Sequence, residues 1–167
     1  MSKTQNTDLA VNETGRMIEA TPDLVEQAYA AIIEGELPPE VGDPEVTRRA
    51  IQERIKTADS FDDVFAPQSL TPWTQYAGEI VTVYGFHLNP SSFRDGAENG
   101  GSAVYAVVEI SRTGDVDDAE PVSTGGGNVL LQLVKAWEKG WFPFKATLAV
   151  RPGSTPGREV HWIQKAS

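Results

Sequence analysis

Five strands and one long amphipathic helix, in the order β-β-β-α-β-β behind a small N-terminal helical segment, make up the fold class predicted here: mainly β with α. Three observations carry it. The stretch from Ser123 to Val150, STGGGNVLLQLVKAWEKGWFPFKATLAV, reads as a glycine turn, an amphipathic helix and a strand. The segment GEIVTVYGFHL over 78–88 is rich in β-branched and aromatic residues and carries Gly85 in its middle, the mark of a bulge in a strand that must curl. The long helix falls between the third and fourth strands, which is the order of a five-stranded OB-like barrel. A ferredoxin-like domain needs a helix after its first strand, and the turn-rich NPSSFRDGAENGG that follows cannot supply one. An SH3-like barrel does not need a helix of this length.

The elements follow in order. Residues 1–20 are polar and without period, which predicts a disordered tail. Thr21 caps a helix with Pro22 at its first position and Leu24, Val25, Ala28, Ala31 and Ile32 on its apolar side, until Gly35. Asp43 and Pro44 open a second helix in the same way. Its stripe of Val46, Ala50, Ile51 and Ile55 is narrow and lies beside Arg48, Arg49, Arg54 and Lys56. Ser60 with Asp63 marks a further short turn, ended by Pro67. These pieces form a helical appendage over 21–66, joined by a linker over 67–77 to the barrel domain over 78–167. Such short helices are marginal alone, so they either pack on the barrel or dock on a partner.

Within the barrel domain SAVYAVVEISR and EPVSTG give strands two and three. Asn128 is a candidate cap for the long helix, whose stripe is Val129, Leu130, Leu133, Val134 and Trp137, and Gly140 stops it. Phe144, Ala146, Leu148 and Val150 alternate with polar residues as strand four, and REVHWIQK over 158–165 is strand five. Trp162 shares a face with Val160, and Tyr84 and Phe86 share that of Ile80; all are expected in the core. Trp141 and Phe142 are expected to anchor the helix end to the barrel.

Composition narrows the function. The net charge is -10 over 167 residues. Residues 1–77 hold six Lys or Arg against fourteen Asp or Glu, and residues 78–167 hold eight against ten, so the acidity is mostly in the front. Binding of nucleic acid by overall charge is therefore disfavoured, although a local basic groove is compatible with it. There is no cysteine and only two histidines, which leaves neither disulfides nor a thiolate metal site, and neither metal nor cofactor is expected. No apolar run is long enough for a membrane span, and the start lacks a secretory h-region, so a cytoplasmic location is expected.

A resemblance adds to this. The run from Gly78 to Gln164, with SAVYAVVEI and VSTGGGNVLLQLVKAWEKGWFPFKATL, together with the preceding RRAIQERIKTADSFDDVF, resembles small phage and actinobacterial proteins of single-stranded-DNA-binding type. The resemblance covers about the last two-thirds of the chain. It implies an OB-type domain acting in phage or plasmid DNA metabolism.

Single-strand binding needs flat rings for bases and cations for phosphates, placed by OB domains on strands two and three and in two loops. Candidates stand there: Phe93 and Arg94 in the first loop, Tyr105 on strand two with Arg112 at its end, Arg151 and Arg158 flanking the last loop, and Lys165 on strand five. Tyr105 points away from the core if Val104, Ala106, Val108 and Ile110 face inward; the alternative to stacking is contact with the N-terminal helices. The glycine turn lacks the lysine of a phosphate loop and reads as a tight strand-to-helix turn. Asp115, Asp117, Asp118 and Glu120 lack calcium-loop spacing and read as a solvated turn.

No nucleophile, base and orienting group converge, so a non-enzymatic binder of single-stranded DNA in replication or recombination is the expected function. A protein-interaction adaptor built on the acidic N-terminal helices is the alternative. A replication or recombination protein and a second copy of the chain are the candidate protein partners.

Overall fold

The computed structural model describes residues 17–65, 70–91 and 104–166. The expected tail and the Phe93–Arg94 loop lie outside these residues, apart from the tail's last few positions. Helix α1 spans Pro22–Glu34, capped by the Thr21 hydroxyl, which accepts from the Leu24 amide, and closed by Gly35 in the left-handed region. Helix α2 spans Pro44–Thr57, with the Asp43 carboxylate accepting from the Glu45 amide. A single turn, α3, covers Phe61–Phe65, and the Ser60 hydroxyl accepts from the Asp63 amide. Three strands follow, β1 (Val81–Pro90), β2 (Val104–Ser111) and β3 (Glu120–Thr124), then α4 (Gly127–Lys139), β4 (Phe144–Pro152) and β5 (Glu159–Lys165). The start and stop signals expected for α1, and the start signal expected for α2, are where these helices begin and end. At α4 they were half right: Gly140 ends the helix in the left-handed region, but Gly126, not Asn128, is the cap and no side chain bonds there. None of the helices is long and apolar enough to cross a membrane among the described residues.

The strands form one antiparallel sheet in the spatial order β3-β2-β1-β4-β5, so sheet order is not chain order. The closed barrel expected from the sequence is not what the ladders draw. The sheet is open, and chain from outside it occupies the edges that closure would use. Beside the second half of β1, Leu88 N–H donates to Val41 O and Asp43 N–H to Phe86 O, so the segment Val41–Asp43 lies where β4 would continue. On β3, the Ser123 amide donates to Thr71 O beside a parallel bridge to Pro72. On β5, the Gln132 side chain of α4 acts as a substitute peptide: its amide nitrogen donates to Ile163 O at 2.9 Å and its oxygen accepts from Ile163 N at 2.7 Å. Backbone groups at these edges are thereby satisfied without a sixth ladder.

A bulge between Val83 and Gly85 sets the faces, as the glycine predicted. Tyr84 is the extra residue, so parity flips there. Val81, Val83, Phe86 and Leu88 enter the core, whereas Tyr84 turns outward and donates to Gly114 O, and Ile80 is exposed. The expectation of a common core face for Ile80, Tyr84 and Phe86 is corrected by this one insertion. The main core joins that face to Val129, Leu130, Leu133, Val134 and Trp137 of α4 and to Val25, Ala28, Ala31 and Ile32 of α1. Trp73, fully buried, pins the chain ahead of β1 into the same core.

The opposite face of β1 and β2 is covered by α2. Val46 and Ala50 pack on Val107, with Leu70 and Tyr105 against them. Gly85 lies beneath this helix, where a Cβ would stand in ordinary van der Waals contact with Val46 at 3.7 Å. The acidic turn between β2 and β3 is held internally, with Asp115 accepting from the Asp117 amide and Asp118 from the Thr113 hydroxyl.

Gly42 tests how closely the strap over Val41–Asp43 approaches β1. Its φ is +92°, and an added Cβ would fall inside the van der Waals radius of Phe86 O. Gly42→Ala is therefore expected to cost about 2 kcal/mol or more in urea unfolding, by backbone strain plus a contact with rigid backbone. Gly35→Ala, also left-handed but in open space, is expected to cost about 1 kcal/mol. Equal costs at the two positions would contradict the close approach.

Candidate nucleic-acid interface

The expected site residues fall into two groups on different parts of the molecule. Tyr105 does lie on the side of β2 away from the main core, opposite Asn89 of β1. It is half-buried there against the α2 cluster, and burial pushes its phenol pKa up. Around it α2 is bonded to the sheet. The Arg49 guanidinium places Nε and one Nη on Glu109 Oε2 at 3.0 and 2.8 Å. Thr47 Oγ1 sits 2.8 Å from His87 Nδ1 and accepts from Asn89 Nδ2 at 2.9 Å. The alternative weighed for Tyr105, contact with the N-terminal helices, is thus what the geometry supplies.

Arg112 is engaged too. Its Nε donates to Glu120 Oε2 at 3.0 Å and its guanidinium lies 4.4 Å from the Tyr76 ring centre, with Glu79 at 3.9 Å. The hydrogen bond to Glu120 pushes its pKa further up. Phe93 and Arg94 lie outside the described residues.

Arg151, Arg158 and Lys165 belong to the other end of the sheet. Arg151 lies over the Trp162 ring at 4.6 Å, a cation–π pair. Trp162 stands opposite Ala149 in the ladder, hence on the face away from α4, and is half-exposed rather than in the core as expected. Arg158 closes the β4–β5 hairpin, accepting from the Gly153 amide through its carbonyl at 2.8 Å. Lys165 stands opposite Ala146, a core residue, so it projects on the α4 side.

That side holds a groove of about 560 Å³ between the C-terminal half of α4 and the paired ends of β4 and β5. The volume suits a small-molecule or nucleotide-sized occupant. Phe144, Ile163 and Ala136 give it an apolar floor, and Trp141 forms a wall. Lys135 and Lys165 stand at its margin, and Lys145, which pairs with Thr82 and so alternates with Phe144 and Ala146, borders it from the edge of β4. Lys135 bonds Glu138 at 2.9 Å, which pushes its pKa up. Neither Lys145 nor Lys165 has a carboxylate within salt-bridge distance among the described residues.

Trp141 is 58% exposed, although it was expected to anchor the helix end. The anchor is Phe142 alone, stacked on Phe86 at 5.6 Å and tilted on Phe144 at 5.2 Å. An exposed tryptophan is freed for contact.

Trp141, Lys135 and Lys145 were not among the sequence candidates. A local charge count would have found them: residues 127–167 hold six Lys or Arg against two Glu in a chain of net charge -10. At the glycine turn, Gly126 has an ordinary φ of -68°. Its need is close approach, since a Cβ would meet the His161 ring at 3.3 Å.

No family model, curated protein or solved structure matches the chain. The resemblance to single-stranded-DNA-binding proteins rests on the quoted residues alone.

The cover over Tyr105 depends on Arg49 and Glu109, so their coupling is testable. Arg49→Ala leaves a half-buried carboxylate without its cation and is expected to cost about 1–2 kcal/mol in urea unfolding. In a double-mutant cycle with Glu109→Gln the two losses should fall short of additive. Strict additivity would show that the pair contributes nothing to seating α2.

Proposed function

We propose that the protein binds single-stranded DNA without catalysis, through the α4, β4 and β5 surface rather than through β2. The observation that carries this reading is the groove, where an exposed tryptophan stands beside two lysines that have no carboxylate partner among the described residues. Bases stack on Trp141, because every base offers a π-face. Lys145 and Lys165 at the groove neutralise phosphates. Local concentration of positive charge offsets the repulsion of an acidic chain, since at physiological salt a strand feels charges within about 8 Å.

The architecture assigned to this reading is OB-like in its partly open form. Its supports are the run of three strands, helix and two strands along the chain, and the bulge in the first strand. A place in phage or mobile-element replication or recombination follows from the family resemblance.

The second reading is a protein-interaction adaptor working through the N-terminal helices. It is favoured by the exposure of Phe61, Phe65, Ile33 and Leu37 in that part of the chain.

Titration of oligo-dT, followed by tryptophan quenching, tests the first reading. Binding at micromolar protein in low salt is expected, with log K falling against log salt by about 0.7 per phosphate neutralised. Trp141→Ala is expected to cost about 1–3 kcal/mol of affinity. Lys145→Glu combined with Lys165→Glu should flatten the salt dependence, while Tyr105→Phe should leave binding as it was. Absence of binding at low salt, or loss confined to Tyr105 and Arg112 variants, would overturn it.

A further inference from the structure

Helix α3 presents the most exposed aromatic surface among the described residues. Phe61 and Phe65 are 76% and 71% exposed, and their ring centres lie 4.5 Å apart, so the i and i+4 side chains form one projection. Ile55 at the end of α2 is also exposed. Two largely exposed phenylalanines on a five-residue turn are more than that turn needs for folding, since each ring can bury about 150–250 Å².

The charges around this projection are acidic. Asp59 and Asp62 have no cation within salt-bridge distance among the described residues, and Asp63 reaches only Arg54, at 4.0 Å.

The groove beside α4 is the complement in both respects. Its floor is apolar, its wall is the exposed Trp141, and Lys145 and Lys165 stand at its margin without carboxylates. An amphipathic turn with anchors at i and i+4 laid into an apolar groove is a recurring mode of recognition. Opposite charge at the rim fixes its orientation.

We infer that α3 of one copy docks in the α4–β4–β5 groove of a second copy. Phe61 and Phe65 enter against Trp141, Phe144 and Ile163, and Asp59 and Asp62 face Lys145 and Lys165. The two patches differ and each copy carries both, so the contact is head-to-tail and extends unless it closes into a ring. Its small area places the affinity on the order of 10–100 μM. The inference does not rest on the DNA-binding reading, although a strand in the groove would compete with α3.

Sedimentation velocity on the full chain without DNA tests it, at concentrations spanning that affinity. The wild type should gain mass with concentration. Phe61→Ala with Phe65→Ala keeps the groove and loses the plug. Lys145→Glu with Lys165→Glu keeps the plug and loses its counter-charge. Each double variant alone should sediment as a monomer, and an equimolar mixture should form a one-to-one pair that grows no further. A wild type that stays monomeric throughout, self-association in the Phe variant equal to wild type, or a mixture that stays monomeric would each overturn the inference. The Phe variant should still titrate oligo-dT, so failure of the self-association leaves the DNA reading separately decided.

Discussion

Helix α2 seated on the outer face of β1 and β2 is the constraint on which the rest of the molecule depends. The sheet has two faces to cover, and α4 with α1 covers only one. The second face is closed over β1 and β2 because Val107 supplies an apolar seat for Val46 and Ala50, and Arg49 locks onto Glu109. Hydrophobic contact supplies the attraction, and the two-pronged guanidinium contact fixes the position along the sheet. With β1 and β2 covered on both sides, the surfaces left open are the β4–β5 ladder and the flank of α4.

The same constraint explains how an acidic chain arranges its charges. Carboxylates near α2 and the β2–β3 turn are largely engaged, Glu109 with Arg49, Glu120 with Arg112, Asp118 with Thr113. Cations at the β4–β5 end are less committed: Arg151 lies on a ring, and Lys145 and Lys165 face a groove. Separation of this kind creates a local positive field that overall charge conceals. Placement of Trp141 at the boundary, just beyond the Gly140 stop, puts a flat apolar wall inside that field.

Local signals in the sequence found most features whose determining contacts are local, the Asn128 cap excepted. Thr21 before Pro22, Asp43 before Pro44, Gly35, Gly140 and the bulge at Gly85 all lie within a few residues of the feature they cause. Closure of the sheet was not legible, because the groups that occupy its edges come from far along the chain: Val41 beside Leu88, Thr71 beside Ser123, Gln132 beside Ile163. Facing along β1 was not legible, since one inserted residue sends Tyr84 out and Phe86 in, and Ile80 ahead of the strand is exposed as well. Trp162 illustrates the other limit. Alternation places it with Val160, but which side of β5 meets α4 is decided by the pairing of Leu148 with Ile163. For the candidate site, the sequence pointed to Arg151 and Arg158 by position beside a hairpin and to Lys165 on the last strand, and gave no sign of Trp141 and Lys145, because only packing leaves that tryptophan exposed.

On the proposed reading, single-stranded DNA lies along α4, β4 and β5, since α2 occupies the alternative face. Backbone amide NMR during titration with a short oligo-dT tests this most directly. Shifts concentrated at Ala136, Trp141, Lys145, Ile163 and Lys165, with His87, Tyr105 and Val107 unmoved, are expected. Shifts concentrated at His87, Tyr105 and Val107, with α2 resonances broadening as the helix is displaced, would contradict it.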